Sequence, residues 1–289
     1  MTVGLMRLEG KLDEDDKFHW VKGKAEDCPL PSMVTKFLQQ IVFPYIFKVL
    51  EVEDDKEVIE RVFENLRELG EELGPAAYTG VIEEVMKHIV IFLQKKAYCQ
   101  TLAMADEDDE DLEDVVEGDG PDDEEDEESE EGDDGIDHDE IIFGNVTDLV
   151  LELARCYGNE FEQAWNVLAP LIVEYTSDKH PKHDKNMALG CIAEVFAAAE
   201  CVIPKYFNDY LPLLEKNSHY KDSKVNRNVA YSIGVLAQHA PLLFQPHVTD
   251  CLALLARLHA ESTEIDAQDN IVAASCRIVE YQFMPIPAA

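Results

Sequence analysis

Apolar residues recur at three- and four-residue steps along most of the chain, which is the spacing that lines up one face of an amphipathic helix. Segment 54–74 shows the pattern with charged residues on the opposite face, and segment 79–96 repeats it. The stripe of segment 54–74 consists of Val58, Ile59, Val62, Phe63, Leu66 and Leu69. No segment shows a convincing period-two alternation of the kind that predicts a strand. The pattern therefore predicts an all-α fold.

Signals for the ends of a helix flank the first of these segments. Asp54 or Asp55 is a plausible N-cap, because a short acidic side chain accepts hydrogen bonds from the free amides of the first turn. Gly70 and Gly74 predict the end of the helix, because glycine adopts the backbone conformation that closes a final turn. The sequence thus predicts a helix over roughly 54–72.

The second half of the chain is built from helix pairs that recur at a regular interval. Three pairs share one pattern: 161–175 with 184–199, 207–216 with 226–240, and 247–259 with 268–281. Asn186, Asn228 and Asn270 fall at intervals of 42 and 42 within the second helices. Two helices per unit at this period are typical of HEAT-type repeats.

The same pairing extends backwards into the first half. Segment 42–51 pairs with 54–72, and 76–96 pairs with 139–158 across an acidic insertion. A helix pair cannot cover its own apolar face, so neighbouring units must cover it by stacking. We therefore predict an α-solenoid of HEAT repeats, a superhelix of antiparallel helix pairs. Its predicted parts are a polar leader at 1–30, repeats at 31–100, an insertion at 101–138 within one repeat, and repeats at 139–284.

The last predicted helix still carries an apolar stripe, which a terminal repeat would need to cap with polar residues. We therefore expect the chain to be part of a longer solenoid.

The charge of the chain is unusual in one segment, residues 106–140. The 289 residues hold 24 Lys and Arg against 61 Asp and Glu, a formal net charge of −37. Residues 106–140 hold 24 of these acids and no Lys or Arg, so the remainder carries 37 acids against 24 bases. Such a balance argues against nucleic acid as a partner, because phosphate binding needs a basic surface. It favours basic partners.

The acidic run has two interpretations. It could be a disordered loop that keeps the protein soluble, because so few apolar residues cannot offset the chain entropy of about 1–2 kcal/mol per ordered residue. It could also attract Lys-rich cargo and raise its association rate. Both interpretations predict that 101–138 is disordered.

Cysteine usage and hydropathy bear on the compartment. The seven cysteines are scattered and contain no CxxC pair, which argues against a disulfide framework and a zinc ribbon. The first residues lack the apolar core of a secretory signal, and no run approaches the roughly 18 apolar residues of a membrane helix. We expect a soluble protein of a reducing compartment without a membrane partner.

No catalytic constellation is present in the sequence: it has no Gly-rich phosphate loop, no nucleophile elbow and no HExxH. His180 and His183 form an HxxH in a loop, but no carboxylate or cysteine lies nearby at a spacing that would complete a metal site. We predict a protein that is not an enzyme and has no cofactor and no metal site.

Three segments carry a family resemblance: RNVAYSIGVLAQHA (227–240), CLALLARLH (251–259) and DNIVAASCRI (269–278). They resemble the C-terminal HEAT repeats of the importin-β (karyopherin-β) superfamily of nuclear import receptors. LQKKAYCQ (93–100), which leads into a long acidic insertion, is similar to one branch of that superfamily, and so is FEQAWNVLAPLI (161–172).

The resemblance implies a nuclear import receptor that shuttles between cytoplasm and nucleus. Its implied cargo is basic nuclear localisation segments, with histones and ribosomal proteins as examples. It also implies Ran GTPase and nucleoporins as partners, through parts of full-length receptors that lie outside this chain. Two rivals stay open: a structural HEAT scaffold without peptide cargo, and an acidic histone chaperone acting through 106–140.

The three regularly spaced asparagines are candidate cargo contacts. Asn disfavours helix interiors, so three at one period indicate a repeated role. Each amide could tie neighbouring helices together. Alternatively, the three could line a concave face and bind the backbone of an extended peptide, while nearby acids bind Lys or Arg. The full candidate set is Asn186, Asn228, Asn270, Glu194, Asp222, Asp266 and Asp269.

Overall fold

The computed structural model describes residues 12–13, 15, 17–101 and 138–283. These residues form helices joined by short turns, and their only strand-like feature is an isolated antiparallel bridge between Leu12 and Phe18. A short π-helical stretch, Leu38–Val42, joins the first two helices, and residues 98–101 form one further helical turn. The helices are α1 (Ser32–Phe37), α2 (Phe43–Val52), α3 (Lys56–Leu73), α4 (Ile82–Leu93), α5 (His138–Tyr157), α6 (Glu162–Glu174), α7 (Lys182–Ala198), α8 (Ile203–Asn217), α9 (Ser223–His239), α10 (Pro241–Phe244), α11 (Val248–Glu261) and α12 (Ile265–Phe283).

The helices stack in two layers. Helices α3, α5, α7, α9 and α12, here called the B layer, each pack along the next one in chain order. Helices α2, α4, α6, α8 and α11, here called the A layer, each precede their B-layer partner and contact one another less closely. This arrangement is a stack of antiparallel helix pairs. The predicted all-α HEAT-repeat solenoid is confirmed.

Aromatic residues carry the apolar core from one repeat to the next. Phe63 of α3 meets Phe92 of α4 edge-on, with ring centroids 4.8 Å apart. Phe196 of α7 lies 6.5 Å from Trp165 of α6 and 5.1 Å from Tyr210 of α8. All five side chains are buried. Burying a large apolar side chain contributes about 1.5–3 kcal/mol, so each interface between repeats supports its neighbour.

Helix α3 begins at one of the two predicted N-caps, and of the two predicted C-terminal glycines only Gly74 ends it. Asp55 is its N-cap, and its carboxylate accepts a hydrogen bond from the Glu57 amide at 2.9 Å. The helix runs through Gly70 and ends at Gly74, whose φ of +65° leaves the helical region. Gly70 serves packing instead: a Cβ there would lie 2.7 Å from the Tyr78 hydroxyl.

The first helix of the second repeat starts later than the predicted 76–96. Residues Gly74–Tyr78 form a buried 3-10 turn, and α4 begins only at Ile82. Gly80, with a φ of +73°, separates the two. Two glycines with left-handed backbone, one at the start of this turn and one just after it, prevent a continuous helix.

Part of the predicted polar leader packs on the repeats. The Trp20 indole N–H donates to the Glu71 carbonyl at 2.9 Å, and the Gly23 amide donates to the Cys156 carbonyl at 2.8 Å. The Lys22 ammonium donates to the Ala198 carbonyl. These carbonyls lie at the C-terminal ends of α3, α5 and α7, where backbone oxygens lack helical partners and favour positive charge. The leader therefore crosses and caps three B-layer helices.

The predicted insertion at 101–138 lies outside the described residues except for its two ends. The last described residue before it, Thr101, lies in the helical turn at 98–101, and the first described residue after it, His138, lies in α5. The predicted disorder of the segment stays a prediction.

No single helix of the described ranges is long and apolar enough to cross a membrane. Helix α7 and the segment Glu200–Asn217 reach that length and composition only together, and they are bent by 107° at the break between them.

Candidate cargo-binding surface

A row of charged and aromatic side chains crosses all five helices of the B layer. Four- and three-residue spacings place these side chains on one face of each helix. We call this row the polar seam. Its members are Arg67 and Glu71 of α3, Asp148, Glu152 and Arg155 of α5, Glu194 of α7, Tyr231 of α9, and Arg277 of α12.

Contacts within the polar seam join successive helices. The Arg155 guanidinium lies 3.3 Å from a Glu194 carboxylate oxygen, and the Tyr231 hydroxyl donates to the other oxygen of Glu194 at 2.6 Å. The Arg277 guanidinium stacks over the Tyr231 ring, 5.2 Å from its centroid. Each link crosses from one repeat to the next, so the seam is continuous from α5 to α12.

Burial shapes the charge of the seam. It raises the pKa of the Glu152 carboxyl, which is buried, although Arg155 and Arg67 oppose the effect. The Cys156 thiol, 3.4 Å from Glu152, donates to that carboxylate. Burial, followed by the hydrogen bond to Glu194, raises the pKa of Tyr231 to about 12. With four carboxylates and three guanidiniums, the seam has a small negative excess when its acids are ionised.

Glu194 is the predicted cargo residue that lies in the polar seam. Its side chain is 34% exposed, and it already has Arg155 and Tyr231 as partners. A carboxylate has about four acceptor positions, so two partners leave room for an incoming ammonium group. Glu194 can therefore bind a Lys side chain without first losing its present contacts.

The predicted asparagine row lies nearer the N-terminal ends of the B layer. The Asn228 amide donates to the Asn186 backbone carbonyl at 2.7 Å and to its side-chain oxygen at 3.0 Å. Gly190 makes room for this contact, since a Cβ there would lie 3.1 Å from the Asn228 nitrogen. Asn270 differs, because its amide donates to the Asp266 carbonyl of its own helix at 2.9 Å. The structure thus joins two members of the row and leaves the third apart.

The remaining predicted acids have separate positions. Asp222 is the N-cap of α9, where it accepts hydrogen bonds from the Lys224 and Val225 amides at 2.9 and 3.1 Å. Its other oxygen lies 3.8 Å from the Lys182 ammonium. Asp266 and Asp269 are exposed in the first turns of α12. Asp222 therefore has a clear role in the fold, whereas Asp266 and Asp269 face solvent.

Sequence reasoning missed most of the polar seam, because it followed the asparagine spacing alone. A signal was present: Glu194 follows Glu152 at the same spacing as the asparagines, and the two occupy equivalent places on α5 and α7. Arg155 and Arg277 offered no such signal, because their partners come from neighbouring repeats at irregular separations.

Two groups of side chains in the described parts of the chain have a geometry that could hold a metal ion. One is Glu51, Glu84 and His88, and the other is Glu140, His183 and Asp184. The second includes a histidine of the HxxH pair. The sequence predicted no carboxylate at a spacing that would complete four ligands, and the structure brings two carboxylates near the pair: Asp184 follows His183 directly, and stacking brings in Glu140 from α5.

Comparison with known proteins finds sequence similarity to proteins named importins. No protein-family model matches the chain. Importin-4 of Mus musculus is 25% identical over 264 residues, which cover 90% of this chain and 22% of the relative. The probable importin subunit beta-4 of Schizosaccharomyces pombe is 26% identical over 151 residues, 52% of this chain and 14% of the relative.

The chain resembles importin-4. Importin-4 of Homo sapiens adds a match of 26% identity over 144 residues, 50% of this chain and 13% of the relative. The predicted resemblance to the importin-β superfamily is confirmed.

The mouse importin-4 match is long enough to include repeats on both sides of the acidic segment, because it leaves out only about a tenth of the chain. The chain spans about a fifth of the length of that importin-4, and less of the other two relatives.

Proposed function

We propose that this importin-4-like chain is a segment of a nuclear import receptor that binds basic nuclear localisation segments of its cargo on the B layer. The observation that carries the proposal is the similarity to importin-4 over 90% of the chain. Histones and ribosomal proteins are the proposed cargo, and shuttling between cytoplasm and nucleus is the proposed behaviour. Transport by binding and release requires no enzymatic step.

The shape of the stack supports the B layer as the binding face. B-layer helices approach one another more closely than A-layer helices do. A stack with one more closely spaced layer curves toward that layer, which becomes the concave side. Five helices spaced by about 8–10 Å span roughly 32–40 Å, the length of about 10–12 extended residues. An extended localisation segment therefore fits along the polar seam.

The chemistry of the seam supports a Lys-rich ligand. Arg155 and Arg277 hold Glu194 and Tyr231 in place from either side. An incoming Lys ammonium would bind Glu194 directly and be attracted by the small negative excess around it. The exposed acids Asp266 and Asp269 extend this attraction to α12, beside Asn270. Asn186 and Asn228 would act by keeping α7 and α9 in register.

The proposal predicts that Glu194→Gln weakens binding of a fluorescent Lys-rich peptide of about 12 residues, as measured by anisotropy. A hydrogen bond to a charged group is worth about 1.5 kcal/mol, so we expect a rise in Kd of roughly tenfold. Glu174→Gln is the matched control, because Glu174 lies on the A layer and pairs with the exposed Lys179. Equal effects of both substitutions would contradict a B-layer site, and no binding by the unmodified chain would favour a structural scaffold.

A second candidate function, an acidic histone chaperone, is favoured by the 24 acids of residues 106–140. The peptide-binding assay described above distinguishes this chaperone function from the import-receptor function. A chaperone acting through that run would bind the peptide normally with Glu194→Gln and lose binding when the acidic run is replaced.

Ran GTPase and nucleoporins are proposed partners of the receptor as a whole. The chain covers 13–22% of the importin relatives, and we assign neither partner to the B layer described here.

A further inference from the structure

Four ionisable side chains meet where the N-terminal ends of α5 and α7 lie side by side. His183 Nδ1 lies 3.6 Å from Glu140 Oε2 and 3.9 Å from Asp184 Oδ1. His180 Nδ1 lies 3.5 Å from the other oxygen of Asp184. Ligand atoms of Glu140, His183 and Asp184 all fall within 4.8 Å of one another. Three potential metal ligands therefore converge from two adjacent repeats.

Two atoms at the centre of this cluster are buried without a hydrogen bond. Asp184 is only 3% exposed, and its Oδ1 has no hydrogen-bond partner among the described residues. The same holds for His183 Nδ1. The neighbouring Lys185 ammonium does not compensate Asp184, because it binds Asp178 at 2.9 Å. A buried carboxylate oxygen without a hydrogen bond is costly, and a cation bound beside it would relieve that cost.

We propose that Glu140, His183 and Asp184 bind a divalent transition-metal ion, with Zn²⁺ as the best fit. Zinc binds His nitrogen and carboxylate oxygen at about 2.0–2.2 Å, which sets tetrahedral ligands about 3.3–3.6 Å apart. The distance between His183 and Glu140 already meets this value, and that between His183 and Asp184 exceeds it by a few tenths of an ångström. Water completes the coordination.

His180 holds one of the three proposed ligands in place. Its ring packs on Tyr175, with centroids 4.4 Å apart, and its Nδ1 lies 3.5 Å from Asp184 Oδ2. Carboxylate ligands of metals are usually held by such partners, whose loss costs about 10–100-fold in affinity. The HxxH pair therefore divides into one ligand and one positioning residue.

The chemistry of the donor set selects the ion. One imidazole with two carboxylates suits zinc and related transition metals, whereas Mg²⁺ and Ca²⁺ prefer oxygen ligands alone. A bound ion would fasten α5 to α7, the first two B-layer helices after the acidic segment. The other cluster is weaker, because Glu51 is exposed and Glu84 already binds Lys87 at 2.6 Å.

The test is a calorimetric titration of ZnCl₂ into the full chain. A background of millimolar MgCl₂ occupies the carboxylates of the acidic run. We expect one saturable equivalent of Zn²⁺. His180→Gln should weaken it about tenfold, and His183→Gln and Asp184→Asn should each weaken it more than that. His219→Gln is the matched control, because His219 is an exposed histidine in the equivalent loop of the next repeat.

Thermal melting provides the second measurement. Zn²⁺ should raise the melting temperature of the unmodified chain and of the His219→Gln control, because a ligand that binds only the folded state stabilises it. It should not raise that of the His183→Gln or Asp184→Asn chain. Asp184→Asn should fold without metal, since it removes a buried charge, and circular dichroism verifies this.

Three results would overturn the proposal. One is the absence of stoichiometric Zn²⁺ binding, which would make the cluster an ion-pair network only. Another is binding unaffected by His183→Gln and Asp184→Asn. The third is loss of the equivalent when residues 106–137 are replaced by a Gly/Ser linker, which would place the ion on the acidic run.

Discussion

The side chains of Asn186 and Asn228 show how one spacing can conceal different roles. The regular interval places both on the B layer, where Asn228 donates twice to Asn186 in the neighbouring helix. Asn270 has the same spacing but donates to Asp266 within its own helix. The first contact joins two repeats, and the second joins none. Cargo binding by these residues stays a proposal, and a tie between helices is the role that the geometry of the first two supports.

We therefore predict that Asn228→Ala lowers the free energy of unfolding by about 1–2 kcal/mol, the usual cost of removing a hydrogen-bond partner from a buried group. The substitution removes the donor to two acceptors, the backbone carbonyl and the side-chain oxygen of the buried Asn186, and leaves a gap against Gly190. Asn270→Ala is the matched control, because its amide is exposed. Surface substitutions of this kind change stability by less than about 0.5 kcal/mol. Urea unfolding followed by circular dichroism measures both.

Equal losses of stability from the two substitutions would show that the tie between α7 and α9 is unimportant. An unchanged stability of Asn228→Ala combined with weak peptide binding would instead favour a direct cargo contact.

At the scale of the elements, glycines decide how closely B-layer helices approach. A Cβ on Gly70 of α3 would lie 2.7 Å from the Tyr78 hydroxyl and 2.8 Å from Glu152 Cγ. Neither neighbour has room to move: Tyr78 is fully buried and donates to the Leu66 carbonyl at 2.6 Å, and Glu152 is buried as well. A Cβ on Gly144 of α5 would meet only the flexible end of Met187, at 3.5 Å. Gly70 is therefore required for close packing of α3, whereas the site of Gly144 has room for a methyl group.

We predict that alanine substitutions at Gly70 and Gly144 change the stability of the fold in opposite directions. Gly70→Ala should destabilise the fold by about 1–3 kcal/mol, because overpacking forces buried side chains to shift. Gly144→Ala should stabilise it by up to about 1 kcal/mol, because alanine is the better helix former and the contact is ordinary. Thermal melting of the two variants beside the unmodified chain measures the difference. Stabilisation by Gly70→Ala would mean that α3 and α5 can separate easily.

At the scale of the whole molecule, charge is concentrated beside one repeat. The acidic run ends in residues that the fold uses: His138 Nδ1 lies 2.7 Å from Glu60, and Lys56 lies 3.1 Å from Asp139. The Glu60 hydrogen bond raises the pKa of His138. An experiment on the run must therefore spare the start of α5. Residues 106–137 hold 22 acids, and replacing them leaves these contacts intact.

We predict that replacing 106–137 with a Gly/Ser linker of equal length leaves helicity and melting temperature nearly unchanged. The association rate of a Lys-rich peptide should fall, and its dependence on salt should flatten, because exposed charges act over a Debye length of about 8 Å at physiological salt. Stopped-flow fluorescence at several salt concentrations measures the rate. A rate unaffected by the replacement would leave the run with a role in solubility, and a large loss of helical signal would show that the fold needs it.

Periodicity determined the all-α class, the helix pairs and their regular repeat from the sequence alone. It succeeded because an apolar stripe can be covered only by another stripe, so local pattern and tertiary packing agree. The pairs α6–α7, α8–α9 and α11–α12 match the predicted segments closely for this reason. Positions of glycine were harder: Gly70 has the same sequence signal as Gly74, and only the neighbouring Tyr78 and Glu152 distinguish packing from termination.

Contacts between repeats were decided by the tertiary structure. Arg155 meets Glu194, and Glu140 meets His183, because stacking brings together residues from different repeats that no local pattern links. The leader is a further case, since Trp20 and Lys22 find exposed carbonyls only where three helices end side by side. A sequence specifies which faces are apolar. The distance and rotation between stacked helices select which polar side chains meet, and those quantities exist only in the folded chain.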